Sequence, residues 1–152
     1  MSHETRETKT GLQMLEAMVR GEMPPPPVAK LVGFELVAVE KNVTRFRLEA
    51  AERHANTMGT LHGGILCDLA DAAMGTAMAT TLEAGQSYTT LELSINFLKP
   101  IRSGVLTAEG RVVKRTRRTG LTECDVLDEK GSLVARAKST CLVLDGKDAE
   151  GR

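Results

Sequence analysis

The stretch "NTMGTLHGGILCDLAD", residues 56–71, runs on into "AAMGTAMATTL", residues 72–82, and sets a Gly-Gly pair and two aspartates among small and apolar side chains. From Gly63 onward this run lacks proline and is rich in alanine, methionine and leucine, which lose little side-chain freedom in a helix. A helix over 63–82 is expected. With Asp71 at zero and steps of about 100° per residue, Gly64, Cys67, Asp68, Gly75 and Met78 fall within ~60° of it. Leu66, Leu69, Ala73, Ala77 and Thr80 lie on the opposite side. Both sides are mostly small or apolar, so the pattern predicts a helix wrapped by protein all round. A carboxylate in that setting must be paired, hydrogen-bonded or open to a cavity. Asp68 lies near enough to the helix start to complement its positive end, whereas Asp71 is two turns in, beyond the reach of that field.

The elements on either side follow from pattern and punctuation. "FELVAVE" and "NVTRFRLEA" alternate with period two around Lys41-Asn42 and read as a hairpin. Four strand-like segments come after the helix, separated by turn signals at Thr119-Gly120 and Glu129-Lys130-Gly131. In the first of them, "YTTLELSINFLKP", strict alternation puts Thr89, Leu91, Leu93, Ile95 and Phe97 on one face. Thr90, Glu92, Ser94 and Asn96 take the other. Upstream, "LQMLEAMVRG" (12–21) has helical spacing with Gly21 as a stop, Pro24–Pro27 forces an extended connector, and "VAKLVGF" suits one helical turn. The first ten residues are polar and expected to fray. The sum is an α+β domain, an antiparallel sheet covered on one face by a long helix. We divide it into an N-terminal helix and proline-rich connector (1–27), the main domain (28–146) and a disordered tail (147–152).

Composition limits the function. Lys+Arg and Asp+Glu both number 20 in 152 residues, so the net charge is zero and a uniformly basic nucleic-acid surface is excluded. One Tyr, three Phe and no Trp leave little for base stacking. Cys67, Cys124 and Cys141 form no CxxC pair, so neither a disulfide framework nor a zinc ribbon is indicated, and a reduced, cytoplasmic setting is expected. No apolar leader opens the chain, and the two aspartates within 65–82 argue against a membrane span.

The glycine pair admits two readings. It eases a tight loop into a helix, and it offers uncovered helix N–H groups to a polarised carbonyl or oxyanion. One such donor is worth ~3–4 kcal/mol to an oxyanion, and with a carboxylate downstream it suggests acyl transfer. His62 is open as base, ligand or loop-ordering residue. Paired with His54 it lacks metal-ligand spacing, and paired with Cys67 it would need an activated thiol on an alanine-rich helix. No metal is expected. "KRTRRTG" gathers Lys114, Arg115, Arg117 and Arg118 beside a turn, either as a solvated hairpin tip or as a phosphate clamp. Lys99 and Arg102 flank Pro100 as weaker candidates. Met74 and Met78 suit a tolerant apolar pocket, or the core.

The pattern Asn56-x5-His62-Gly63-Gly64-x6-Asp71, joined to "YTTLELSINFLKPIRSG" (88–104), resembles the hotdog-fold acyl-CoA thioesterases of the phenylacetate-degradation type. The resemblance runs from about Gly33 to Asp145. It implies a hotdog fold whose sheets pair edge to edge, with active sites at the interface of a homodimer or homotetramer. It implies acyl-CoA as substrate and no cofactor, CoA being part of the substrate. Asp71 matches the catalytic carboxylate, as general base or nucleophile. Gly63 matches the carbonyl-polarising amide, with Gly64 beside it, and Asn56 a polar residue that holds nucleophile or carbonyl. His62 matches a loop-ordering residue and Thr90 a hydroxyl near the attacking water. Arg117 and Arg118 are favoured for the CoA phosphates. A thioester has a good leaving group, so a carboxylate and one donor suffice without a serine triad. The alternatives are an acyl-CoA or acyl-carrier-protein dehydratase of the same fold, and a non-catalytic acyl-CoA-binding regulator.

Overall fold

Thr10 caps the helix that begins at Gly11. Its hydroxyl accepts from the Gln13 N–H at 3.3 Å while the Gln13 side chain accepts from the Thr10 N–H at 3.0 Å, a reciprocal capping box. The computed structural model describes residues 8–149. Helix α1 (Gly11–Val19) follows the cap and turns at Gly21. The proline run stays extended only to Pro26, because Pro27 is the first residue of α2 (Pro27–Val32), a position where its missing N–H costs nothing. The division at 27/28 therefore falls inside the first turn of α2. Gly33 closes α2 at φ 90°, a backbone state few side chains tolerate, and sends the chain into the sheet.

Strands β1 (Phe34–Glu40) and β2 (Val43–Ala50) form the hairpin, with Asn42 at φ 72° in its turn. After a 3-10 turn at Glu52–His54 comes the long helix α3 (Gly63–Ala79), then β3 (Ser87–Phe97), β4 (Gly104–Arg115), β5 (Thr119–Asp128) and β6 (Leu133–Leu144). The six strands form one antiparallel sheet in the order β1-β2-β4-β5-β6-β3. The connection from β2 through α3 thus crosses the sheet to its far edge, and β1 and β3 are the two edge strands. This is the helix-on-sheet arrangement expected of a hotdog fold. Residues 146–149, within and beside the expected tail, form a 3-10 turn; of the ten residues expected to fray, Thr10 is held as a helix cap and residues 1–7 lie outside the described residues, as do residues 150–152.

The core lies between α3 and the sheet. Leu69, Met74 and Met78 of α3 are fully buried, as are Leu48, Leu106, Val126 and Val134 of the strands. Each contributes on the order of 1.5–3 kcal/mol. Gly110 of β4 permits the close packing: a Cβ there would overlap the backbone of Ala73 and Met74. α1 packs on the C-terminal end of α3, where the Gly11 N–H donates to the Leu82 carbonyl at 3.0 Å. The N-terminal helix is therefore seated on the same body.

Two expectations are corrected here. α3 is not wrapped all round: Gly64, Asp68 and Asp71 are exposed along one stripe, while Leu66, Leu69, Ala73 and Ala77 opposite are buried. The wheel found the stripe, but composition could not show that the sheet leaves it open. The face assignment in β3 also changes. A bulge at Leu91, between Thr90 and Glu92 in the pairing with β6, resets the alternation. Thr90 thereby faces the helix together with Leu93, Ile95 and Phe97, and not with Glu92, Ser94 and Asn96.

Candidate active site

The entry to α3 is built by its loop. Asn56 Oδ1 accepts from the N–H groups of Met58 at 2.9 Å and Thr60 at 3.2 Å, and its Nδ2 donates to Thr60 Oγ1 at 3.0 Å. Asn56 thus shapes the loop 56–60, and in this chain its side chain is spent there. Arg102 donates to the Gly59 carbonyl at 3.2 Å, and the Leu61 N–H donates to Ile101 at 2.6 Å, pinning the loop to the strand β3–β4 connection. His62 caps the helix: its Nδ1 accepts from the Gly64 N–H at 2.9 Å, and its own N–H donates to the His54 carbonyl at 2.9 Å. The cap consumes the Gly64 donor. Among the described residues nothing accepts from the Gly63 N–H, the first uncovered amide of the helix. A Cβ on Gly63 would sit 3.0 Å from the Phe97 ring, so glycine allows β3 to approach this end of the helix.

Two turns along, Thr90 of β3 donates its hydroxyl hydrogen to Asp71 Oδ1 at 3.1 Å. The carboxyl remains open to solvent at its rim, yet enough protein crowds it to hold its pKa above the ordinary carboxylate value. Burial is the leading cause; the Thr90 bond opposes it by favouring the charged form, and neighbouring Asp68 adds to it. A carboxylate tuned upward is a better proton acceptor near neutral pH.

Asp71 stands at the edge of a cleft of about 250 Å³. Leu15 and Met18 of α1, the Pro25-Pro26 pair, and Phe34 wall it, and Tyr88 and Thr76 lie deeper along the helix. None of these was singled out as a site residue in the sequence, although Tyr88 is two residues from Thr90 and shares its strand. Met74 and Met78, expected at an acyl pocket, do not line the cleft: both are fully buried in the core. Gly120 of the sheet leaves the room that the Met78 side chain fills, and Gly110 lets β4 close on the α3 backbone at Ala73 and Met74. A second, more polar cleft of about 290 Å³ shares no lining residue with the first and contains Lys99, paired with Asp128.

Other groups fall away from the site. His54 is buried, with Nε2 2.8 Å from the Val32 carbonyl and Nδ1 accepting from the Ala51 N–H, so both its ring nitrogens are engaged away from the His62 ring. Burial, then Asp68 and Asp71, push the Cys67 thiol pKa up, which leaves it a neutral thiol and a poor nucleophile. Among the described residues no three His, Cys, Asp or Glu side chains form a metal-sized group. Arg117 and Arg118 are exposed at the β4–β5 turn, where Arg115 Nε donates to Thr81 Oγ1 just beyond the C-terminal end of α3. That is the far end of the helix from Gly63, about 24 Å away at 1.5 Å per residue over Gly63–Ala79.

Residues 58–135 match the model of the Thioesterase superfamily. The chain belongs to the thioesterase superfamily. A 1,4-dihydroxy-2-naphthoyl-CoA hydrolase of Listeria monocytogenes is 30% identical to this thioesterase over 112 residues, covering 74% of this chain and 91% of that one. Acyl-coenzyme A thioesterase 13 of Mus musculus is 29% identical over 107 residues, covering 68% and 73%. Among solved structures, a phenylacetic acid degradation-related protein of Ralstonia eutropha superposes with a TM-score of 0.78 at 32% identity, covering 84% of this chain and 98% of that one. The thioesterase is a thioester hydrolase of the hotdog fold, similar to the phenylacetate-degradation type. No described helix is long and apolar enough to cross a membrane.

Proposed function

We propose that this thioesterase hydrolyses an acyl-CoA to the free acid and CoA, in a site completed by two copies of the chain. Gly63 and Asp71 are eight residues apart on one helix, an axial separation of about 12 Å. A carbonyl cannot lie about 3 Å from both groups of one chain. β3 supplies the geometry that supports a shared site. Its Thr90 end touches Asp71 and its Phe97 end touches Gly63. It is also an edge strand, with Leu91 and Phe97 exposed, ready to pair with another strand. Antiparallel pairing of two β3 edges about a twofold axis near Ser94 sets Thr90 of one chain opposite Phe97 of the partner subunit, once the Leu91 bulge is counted. Asp71 then faces Gly63 of the partner subunit.

In this arrangement the partner's Gly63 N–H polarises the thioester carbonyl. Asp71, held by Thr90, takes a proton from water as the water oxygen bonds to the carbonyl carbon. The C–S bond breaks as the carbonyl reforms, and the CoA sulfur leaves with the proton returned from Asp71. A base with a raised pKa suits this proton transfer better than direct attack. The dehydratase alternative would need a histidine base, and His62 is committed to capping its own helix. A regulator would not need Asp71 tuned upward. The juxtaposition of Asp71 and Thr90 carries the reading. Asp71→Asn is expected to lower thiol release from acyl-CoA by about 10²–10⁴-fold, the usual worth of a general base, with unchanged folding by circular dichroism. Near-normal turnover would remove Asp71 from the chemistry.

A further inference from the structure

Asp68 lies one helical turn before Asp71 on the open stripe of α3 and lines the same cleft. Side chains three apart on a helix have Cβ atoms about 5–6 Å apart, so the two carboxylates share one mouth. Among the described residues Asp68 makes neither a hydrogen bond nor an ion pair. No Lys, Arg or His lines the cleft, whose other walls are apolar but for Thr76 and Tyr88. Burial leads in raising the Asp71 pKa and the charge of Asp68 adds to it, so the field of Asp68 reaches the reacting carboxylate. No fold contact ties this side chain, and its charge acts on whatever occupies the cleft.

Hydrolysis changes the charge of what the site holds. A thioester is neutral at the reacting carbon. As water adds, negative charge moves from Asp71 to the carbonyl oxygen, and the total in the site is unchanged. The acid product ionises at neutral pH and then adds one negative charge beside Asp71. The helix end that stabilises the oxyanion also attracts this anion, because uncovered helix N–H groups bind carboxylates. Resting on the reading of Asp71 as the base and Gly63 of the partner subunit as the donor, we propose that Asp68 offsets that attraction: its unpaired carboxylate drives out the ionised acid and leaves the neutral thioester undisturbed. At about 6 Å, repulsion between two carboxylates weakens acid binding about threefold across water, and about tenfold where protein halves the dielectric constant. Asp68 is a product-release residue here and takes no part in the bond that breaks.

The test compares each charged product with its uncharged isostere. Benzoate and benzamide, and hexanoate and hexanamide, are added as inhibitors of thiol release from benzoyl-CoA and hexanoyl-CoA, at low salt on the alkaline plateau of the pH profile. Asp68→Asn is expected to tighten inhibition by the acid about three- to tenfold relative to the amide in at least one pair. Salt at 1 M, where the screening length is about 3 Å, is expected to shrink that gain. A structural effect of the substitution would scale acid and amide together and leave their ratio intact. An unchanged ratio in both pairs, or a gain that salt leaves untouched, overturns the proposal while the observed hydrolysis leaves the thioesterase reading standing; absence of hydrolysis of both esters sinks both. Asp68→Lys reverses the charge and is expected to tighten acid inhibition beyond Asp68→Asn. A lysine variant no tighter than the asparagine one would show that the acid does not meet the charge at position 68.

Discussion

Replacing Thr90 by valine removes one hydroxyl and keeps the shape and the β-branching that suit a strand. In the native site that hydroxyl donates to Asp71 at 3.1 Å and favours the charged carboxylate against the burial that disfavours it. Without the bond, burial and Asp68 act unopposed, and the Asp71 pKa rises further above the ordinary carboxylate value. The acid limb of kcat/KM against pH reports the ionisation of the base in the free enzyme, and activity is lost as pH falls through it. Thr90→Val must therefore move that limb to higher pH. Hydrogen bonds to charged groups contribute about 1.5–3 kcal/mol, and the open rim of Asp71 places this one at the lower end. About 1.5 kcal/mol is slightly more than tenfold in kcat/KM on the acid side of the profile. On the alkaline plateau, where the carboxylate is already charged, the loss is smaller. Thiol release measured across pH with both proteins gives the answer. A limb that stays in place, or shifts to lower pH, refutes the role assigned to Thr90.

Two further predictions test the frame and the distal basic turn. Gly110→Ala drives a methyl group into the backbone of α3 at Ala73 and Met74, and is expected to destabilise the fold by about 3 kcal/mol, read as a lower urea midpoint with unchanged slope; a wild-type midpoint would show that the helix can lift from the sheet at little cost. Removing the charges of Arg117 and Arg118 together is expected to raise KM for CoA esters at low salt, with the difference shrinking as salt shortens the screening length, and a KM unmoved at low salt returns both residues to the solvated hairpin tip.

The elements were legible in the sequence because each has a local cause. The hairpin follows from period-two alternation around Lys41-Asn42, and α3 from its run of alanine, methionine and leucine behind the Gly63-Gly64 pair. Asp71 stood out because a carboxylate two turns into such a helix needs a reason, and the structure gives it Thr90 as a partner. Three features were hidden. The bulge at Leu91 is a single extra residue that reverses the faces on either side of it, and periodicity has no marker for it. The burial of Met78 depends on Gly120, and the close seat of the helix backbone at Met74 on Gly110, glycines of other strands that become neighbours only after folding. The cleft depends on where α1 docks, and helical spacing within 12–21 shows an amphipathic face without naming the surface it covers.

The central claim is that Asp71 acts with Gly63 of the partner subunit, and mixed dimers test it most directly. One chain carries Asp71→Asn; the other carries Gly63→Pro, which removes the N–H at a first-turn position whose backbone suits proline, the Phe97 ring 3.0 Å from the new Cβ having to shift by a few tenths of an ångström. Each homodimer should be inactive. In a heterodimer purified through two different tags, one of the two sites regains an intact carboxylate and an intact amide, so about half the wild-type activity should return. A heterodimer as inactive as its parents would place both groups of each site on the same chain and contradict the account.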